Sequence, residues 1–110
     1  MAKPGKRRGK NQIEGQFVPM LYRMIDSPAY KRLTNASRTA YLLLRRQIKN
    51  KGEREVIFPY KDAEPYMHRH TFSAAIKQLQ ELGFIEKSGH GGLYRQPNIY
   101  RFIEKWRELR

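Results

Sequence analysis

One stretch of the chain repeats apolar residues at helical spacing more clearly than any other. Between Tyr66 and Lys87 (YMHRHTFSAAIKQLQELGFIEK), Phe72, Ala75, Ile76, Leu79 and Leu82 fall on one side of a helix, and at Gly83 the pattern gives way to Phe84 and Ile85. This predicts a helix closed by Gly83 in the C′ position, where positive φ carries no Cβ penalty, and then a strand. The opposite face carries Arg69, His70, Ser73, Ala74, Lys77, Gln78 and Glu81, with no bulky apolar residue among them.

The pattern on either side is shorter. Phe17 and Val18 read as extended before Pro19. Met20, Leu21, Met24 and Ile25 share a face of a short helix that Asp26, Ser27 and Pro28 break or restart, and Tyr30 and Leu33 dock on the body. Thr34 or Asn35 caps the next helix, which is expected to run to about Asn50 and stop before Gly52. Its inward stripe reads as Ala36, Ala40, Leu43, Leu44 and Gln47 or Ile48, and its other face as Arg38, Arg45, Arg46 and Lys49, followed by Lys51 and Arg54.

Glu55 to Phe58 (EVIF) reads as a strand closed by Pro59. Tyr60 to Tyr66 holds one or two helical turns, which Pro65 keeps from extending. His68 occupies the N-cap of the long helix. After that helix, Phe84 to Ser88 forms a strand, Gly89 to Gly92 (GHGG) a turn, and Leu93 to Gln96 the return. Asn98 to Phe102 continues as an extended or early helical segment. Ile103 to Leu109 forms a short closing helix, with Trp106 and Leu109 covering the body or forming a small interface with a second copy.

The order of elements defines an α+β fold, mainly helical with a small antiparallel β-sheet. At 110 residues it is read as one domain from residue 17 to 110, preceded by an arm over Met1 to Gln16 (MAKPGKRRGKNQIEGQ). In that arm Lys3, Lys6, Arg7, Arg8 and Lys10 oppose Glu14 with no core-forming pattern, so disorder in isolation is expected. Twenty-three Lys and Arg against ten Asp and Glu give a formal net charge of +13, which favours an anionic polymer or surface as partner. The excess lies in the arm, in Phe17 to Phe58 and after Gly83, whereas Pro59 to Gly83 is electrically neutral.

Several classes fall away. Cysteine is absent, which removes disulfides, Cys-ligated zinc and thiol catalysis. No apolar run of membrane-spanning length and no signal-peptide core is present, so the expectation is a soluble cytoplasmic or nucleoid-associated protein without membrane contact. His68 and His70 have no Cys or Asp nearby and only His90 elsewhere in the chain, so neither a metal nor any other cofactor is expected, and two places apart on a helix start they point in different directions, which is poor geometry for a shared catalytic centre. No serine motif, phosphate-binding glycine loop or zinc-protease signature occurs, and the chain is read as a binding protein rather than an enzyme.

A short helix followed closely by a second one that flows into a glycine-tipped hairpin is the order of a winged helix. Tyr60 to Tyr100, and above all TFSAAIKQLQELGFI with the following KSGHGGLYRQPNIYRF, resembles the winged helix-turn-helix domains of bacterial, phage and plasmid DNA-binding proteins, especially replication-initiator-like ones. Thr34 to Ile57 fits the first helix and strand of that family. Pro65 shortens the bracing helix, and His68 replaces the small polar cap more often found there.

The resemblance implies double-stranded DNA as partner, in phage or plasmid replication initiation or transcription regulation, with the helix from Thr71 to Leu82 entering the major groove. On side-chain chemistry Arg69 suits a guanine edge and Gln78 an adenine edge, while His70, Thr71, Ser73 and Lys77 contact bases or phosphates. Lys87, Ser88, His90, Gly91, Gly92 and Arg95 form the wing. Phosphates fall to Lys3, Lys6, Arg7, Arg8, Lys10, Arg38, Arg45, Arg46 and Lys49. Two other readings stay open: an RNA or single-stranded nucleic-acid binder, if tyrosine rings are exposed on one surface, and a protein-interaction module of a replication or assembly complex using the neutral helix. A homodimer would let two copies read a palindrome.

Overall fold

The computed structural model describes residues 15–89 and 98–109. Helices α1 (Tyr22–Ile25), α2 (Pro28–Arg32), α3 (Asn35–Arg45) and α4 (Arg69–Glu81) accompany strands β1 (Glu55–Ile57), β2 (Ile85–Gly89) and β3 (Ile99–Phe102), with 3-10 turns at Tyr60–Asp62 and Lys105–Glu108. The strands form one antiparallel sheet in the order β1-β3-β2, so the last strand lies in the middle. The α+β class expected from the sequence is what the described residues form.

Local chemistry sets the boundaries. Ser27 ends α1 and starts α2: its buried hydroxyl donates to Met24 O at 2.6 Å and accepts from Tyr30 N–H at 3.1 Å, and Pro28 follows at the first helical position, where no N–H is needed. Thr34 caps α3, accepting from Ser37 N–H at 3.1 Å. The helix then stops at Arg45 rather than near Asn50. Gln47 and Ile48 N–H turn to carbonyls three residues back, and Glu53 accepts from Lys49 N–H at 2.9 Å and Asn50 N–H at 3.4 Å, giving those amides a partner outside the helix.

The buried stripe of α3 is Ser37, Ala40, Tyr41 and Leu44, rotated from the expected one, with Ala36, Leu43 and Ile48 only partly covered. Tyr41 replaces Leu43 at the centre because its ring meets Phe84 at 5.7 Å and Phe102 at 5.6 Å, both edge-on. Burial pushes the Tyr41 hydroxyl pKa up, against the attraction of Arg45.

On α4 the stripe is as expected: Phe72, Ala75, Ile76 and Leu79 are buried. Gly83 follows at φ +85°, and Phe84, fully buried, packs against Tyr30 and Tyr41 edge-on and stacks on Trp106 at 6.2 Å. Trp106 is thus an internal residue and not part of a surface between copies, and the expected closing helix is the 3-10 turn that carries it.

Asn98 to Phe102, expected as extended or early helical, supplies a strand: β2 pairs with Ile99–Phe102, from Ile85↔Phe102 to Gly89↔Ile99 with an irregularity between Lys87 and Gly89. That pairing buries Tyr100 and Phe102. Leu93 to Gln96, the expected return, lie outside the described residues. On the outer face Arg101 bridges Glu55 at 3.0 Å and Glu86 at 3.5 Å, linking all three strands. These groups are about half exposed, so each pair contributes about 1 kcal/mol or less.

Gly83 and Gly52 provide a controlled pair. Both have positive φ, but a Cβ on Gly52 would meet open space, whereas on Gly83 it would stand 2.7 Å from Lys105 Cβ and Trp106 N. Gly52→Ala is expected to cost about 1 kcal/mol from backbone conformation alone. Gly83→Ala should cost at least about 2 kcal/mol and lower the melting temperature by about 10 °C, since 1 kcal/mol is worth roughly 4–8 °C in a domain of this size. Thermal denaturation followed by circular dichroism distinguishes the two.

Glu53 gives a pH signature. The Lys49 and Asn50 amides lower its carboxyl pKa, so the stabilisation is present above the unfolded carboxylate value and is lost as pH falls through the lowered folded value. Glu53→Gln should therefore melt below the wild-type protein at neutral pH and together with it in strong acid.

Candidate nucleic-acid interface

α4 begins with an unusual cap. His68 has extended backbone (φ −69°, ψ 155°), and its Nδ1 accepts from His70 N–H at 3.2 Å. Because His68 lies outside the helix, its ring folds back over the first turn and stacks on His70, with centroids 5.2 Å apart and an interplanar angle of 23°. The expectation that the two imidazoles diverge is therefore corrected: the 100° rotation per residue applies only within the helix. The described residues contain no group of three or more metal-ligating side chains.

Arg69, next along, lies with its guanidinium carbon 5.1 Å from the Tyr60 ring centroid. Tyr60 is itself fixed, donating from its hydroxyl to Met67 O at 3.1 Å and packing on Phe72. The irregular turns before α4 thus position a cation at the start of its outer face. That face carries Arg69, His70, Thr71, Ser73, Ala74, Lys77, Gln80 and Glu81, all exposed. Gln80 was not among the expected contacts, although its spacing of seven from Ser73 puts the two on one line.

Gln78 does not belong to the open face. Its Oε1 accepts from Thr34 N–H at 2.9 Å and from Ser37 Oγ–H at 2.6 Å, and its Nε2 donates to Arg32 O at 3.2 Å. The amide that suits an adenine edge is already committed within the chain, which corrects the expected base contact. The geometry is that of a capping box completed from another helix. In such a box the third helical residue reaches back to the N-cap amide, but here that residue is Ser37, which is short, and Gln78 of α4 takes the role.

Arg38 is corrected in the same way. Its Nη2 donates to Tyr30 O at 3.2 Å and Lys31 O at 3.3 Å, its Nη1 donates to Asn35 Oδ1 at 3.4 Å, and the guanidinium covers the Tyr30 ring. A cation on the last carbonyls of α2 satisfies their acceptors and the helix dipole, so Arg38 closes α2 rather than reaching for phosphate.

The remaining expected phosphate contacts fall in different places. Arg46 and Lys49 are exposed near the far end of α3, and the half-buried Arg45 guanidinium lies 4.9 Å from the Phe102 centroid. Ser37, which touches Gln78, and Arg45 are eight residues apart, about 12 Å along the helix. The α3 cations therefore lie toward the opposite end of α3 from its contact with Gln78. Lys31 and Arg32 are exposed on α2, and the bond from Gln78 to Arg32 O brings their backbone beside α4. They were not expected as contacts, and the visible signal was a pair of cations just before the Thr34 cap.

Lys87 and Ser88 are exposed on β2, with Ser88 Oγ–H donating to Ile99 O at 3.5 Å. His90, Gly91, Gly92 and Arg95 of the expected wing, and Lys3, Lys6, Arg7, Arg8 and Lys10 of the arm, lie outside the described residues. No described helix is long and apolar enough to cross a membrane. Comparison with protein-family models, with curated proteins and with solved structures gave no match.

Removing the Gln78 amide leaves three polar groups without their partner. Thr34 N–H and Arg32 O are exposed and can turn to water, so Gln78→Ala should cost about 1 kcal/mol in thermal or urea unfolding, chiefly through the buried Ser37 hydroxyl.

Proposed function

We propose that this chain is a non-enzymatic, winged-helix double-stranded DNA-binding protein of the kind used in phage or plasmid replication initiation or transcription regulation, with α4 entering the major groove. The observation that carries this reading is the open face of α4, free of bulky apolar side chains and held by a buried opposite face, in the order α3, β1, turn, α4, β2, β3 with sheet order β1-β3-β2. A helix so braced can present side chains to base edges at a fixed angle.

Arg69 is the guanine-reading candidate, with Ser73, Lys77 and Gln80 along the same helix. His70 and Thr71 flank the N-terminal turn, and Lys31 and Arg32 beside α4 hold phosphate together with Lys87 and the wing. Net charge supplies attraction, while the nearly neutral helix supplies discrimination; phosphate contacts carry no sequence information of their own. The neutrality of Pro59 to Gly83 also suits a protein-docking face, which is the competing reading.

Titration of a labelled duplex at several salt concentrations tests the proposal. Lys77→Ala and Arg32→Ala should each weaken binding to all duplexes, and the slope of log K against log salt should become shallower by about 0.9 for each phosphate no longer neutralised. Arg69→Ala should reduce discrimination between duplexes by about 1–3 kcal/mol. Duplex binding unchanged by all three variants would favour protein docking at α4.

A further inference from the structure

A second surface, lined by no residue of α4, combines an exposed aromatic ring with cations. The extended segment Gln16 to Pro19 and the C-terminal end of α3 enclose an open groove of about 790 Å³, lined by Gln16, Phe17, Val18, Arg45, Arg46 and Lys49 among others. Phe17 is 60 % exposed. Arg46 and Lys49 are exposed in the same lining, and Arg45 packs against Phe102.

We propose that this groove binds an unpaired nucleic-acid strand, with one base stacked on Phe17 and its neighbouring phosphates on Arg46 and Lys49. Three features support that occupant over others. An exposed ring offers a π-face that every base can use, and stacking of this kind is tolerant of sequence. The cations line the same groove as the ring, so they are available to the phosphates on either side of a stacked base. The volume lies within the range of sites that enclose a nucleotide-sized ligand. A duplex has its bases already stacked and cannot offer one to Phe17, so the groove favours single strands.

The two surfaces are independent. Gln78 ties α4 to the N-terminal end of α3, whereas the groove uses the other end, so occupancy of one does not require the residues of the other. The groove reading therefore stands or falls apart from the duplex reading.

Fluorescence anisotropy of labelled ten-nucleotide oligodeoxythymidylate and oligouridylate with the full chain tests it. Phe17→Ala should weaken single-strand binding by between about fivefold and a hundredfold, the range expected for one stacked base. Phe17→Tyr should retain it, Phe17→Leu should not, and Arg46→Ala with Lys49→Ala should weaken it at least as much while a labelled duplex is unaffected. The exposure of Phe17 keeps these variants folded, which an unchanged melting temperature confirms. Equal affinity for the two oligonucleotides assigns the site to either strand chemistry, and a preference for oligouridylate assigns it to RNA. Single-strand binding that stays within twofold on Phe17→Ala, or that falls as far with Lys77→Ala as with the groove variants, overturns the proposal.

Discussion

The corner from Gly83 to Phe84 is the constraint on which the rest of the molecule depends. Gly83 turns the chain from α4 into β2 at φ +85° and leaves no room for a Cβ, because the backbone of Lys105 and Trp106 packs directly on it. Trp106 N–H donates to Gly83 O at 3.1 Å and Ile103 N–H donates to Phe84 O at 3.1 Å, so the C-terminal turn is tied to the same two residues. Phe84 then enters the cluster of Tyr30, Tyr41 and Trp106, which brings α2, α3 and the C-terminal turn to one point. Helix, sheet and closing turn share a single junction.

Gln78 fixes what that junction alone would leave free, the rotation of α4 against α3. One side chain satisfies the amide of the Thr34 cap, the buried Ser37 hydroxyl and the Arg32 carbonyl. The outer face from Arg69 to Glu81 is then presented at a set angle, with Lys31 and Arg32 beside it. A rigid support suits a reading helix, because base-edge contacts demand fixed geometry while phosphate contacts do not.

Much of this was legible in the sequence, and the losses have physical causes. The period of α4, its end at Gly83 and the strand just after it, which begins at Ile85 rather than Phe84, are local properties, set by spacing and by a residue that tolerates positive φ. The two starts at Ser27 and Thr34 were legible for the same reason. The buried side of α3 was not, because Tyr41 and Leu43 are both apolar enough and only the rings of Phe84 and Phe102 decide between them. The chemistry of Gln78 and Arg38 fits nucleic acid and main chain equally well, so spacing alone could not place them: each finds its partners on an element more than a turn away or, for Gln78, more than forty residues distant in sequence. The early end of α3 depended on Glu53, a residue beyond the helix itself. Composition located the positive charge along the chain but not that the α3 cations lie toward the opposite end of α3 from its contact with Gln78.

The most direct measurement is the map of amide chemical-shift changes when a duplex is added to the labelled protein. On the proposed mode of binding the largest changes fall on Arg69, His70, Ser73, Lys77 and Gln80, with Lys31 and Arg32 beside them, while Arg46 and Lys49 change little. Changes centred on Arg46 and Lys49 with α4 unmoved, or no changes at all, would contradict duplex recognition by α4.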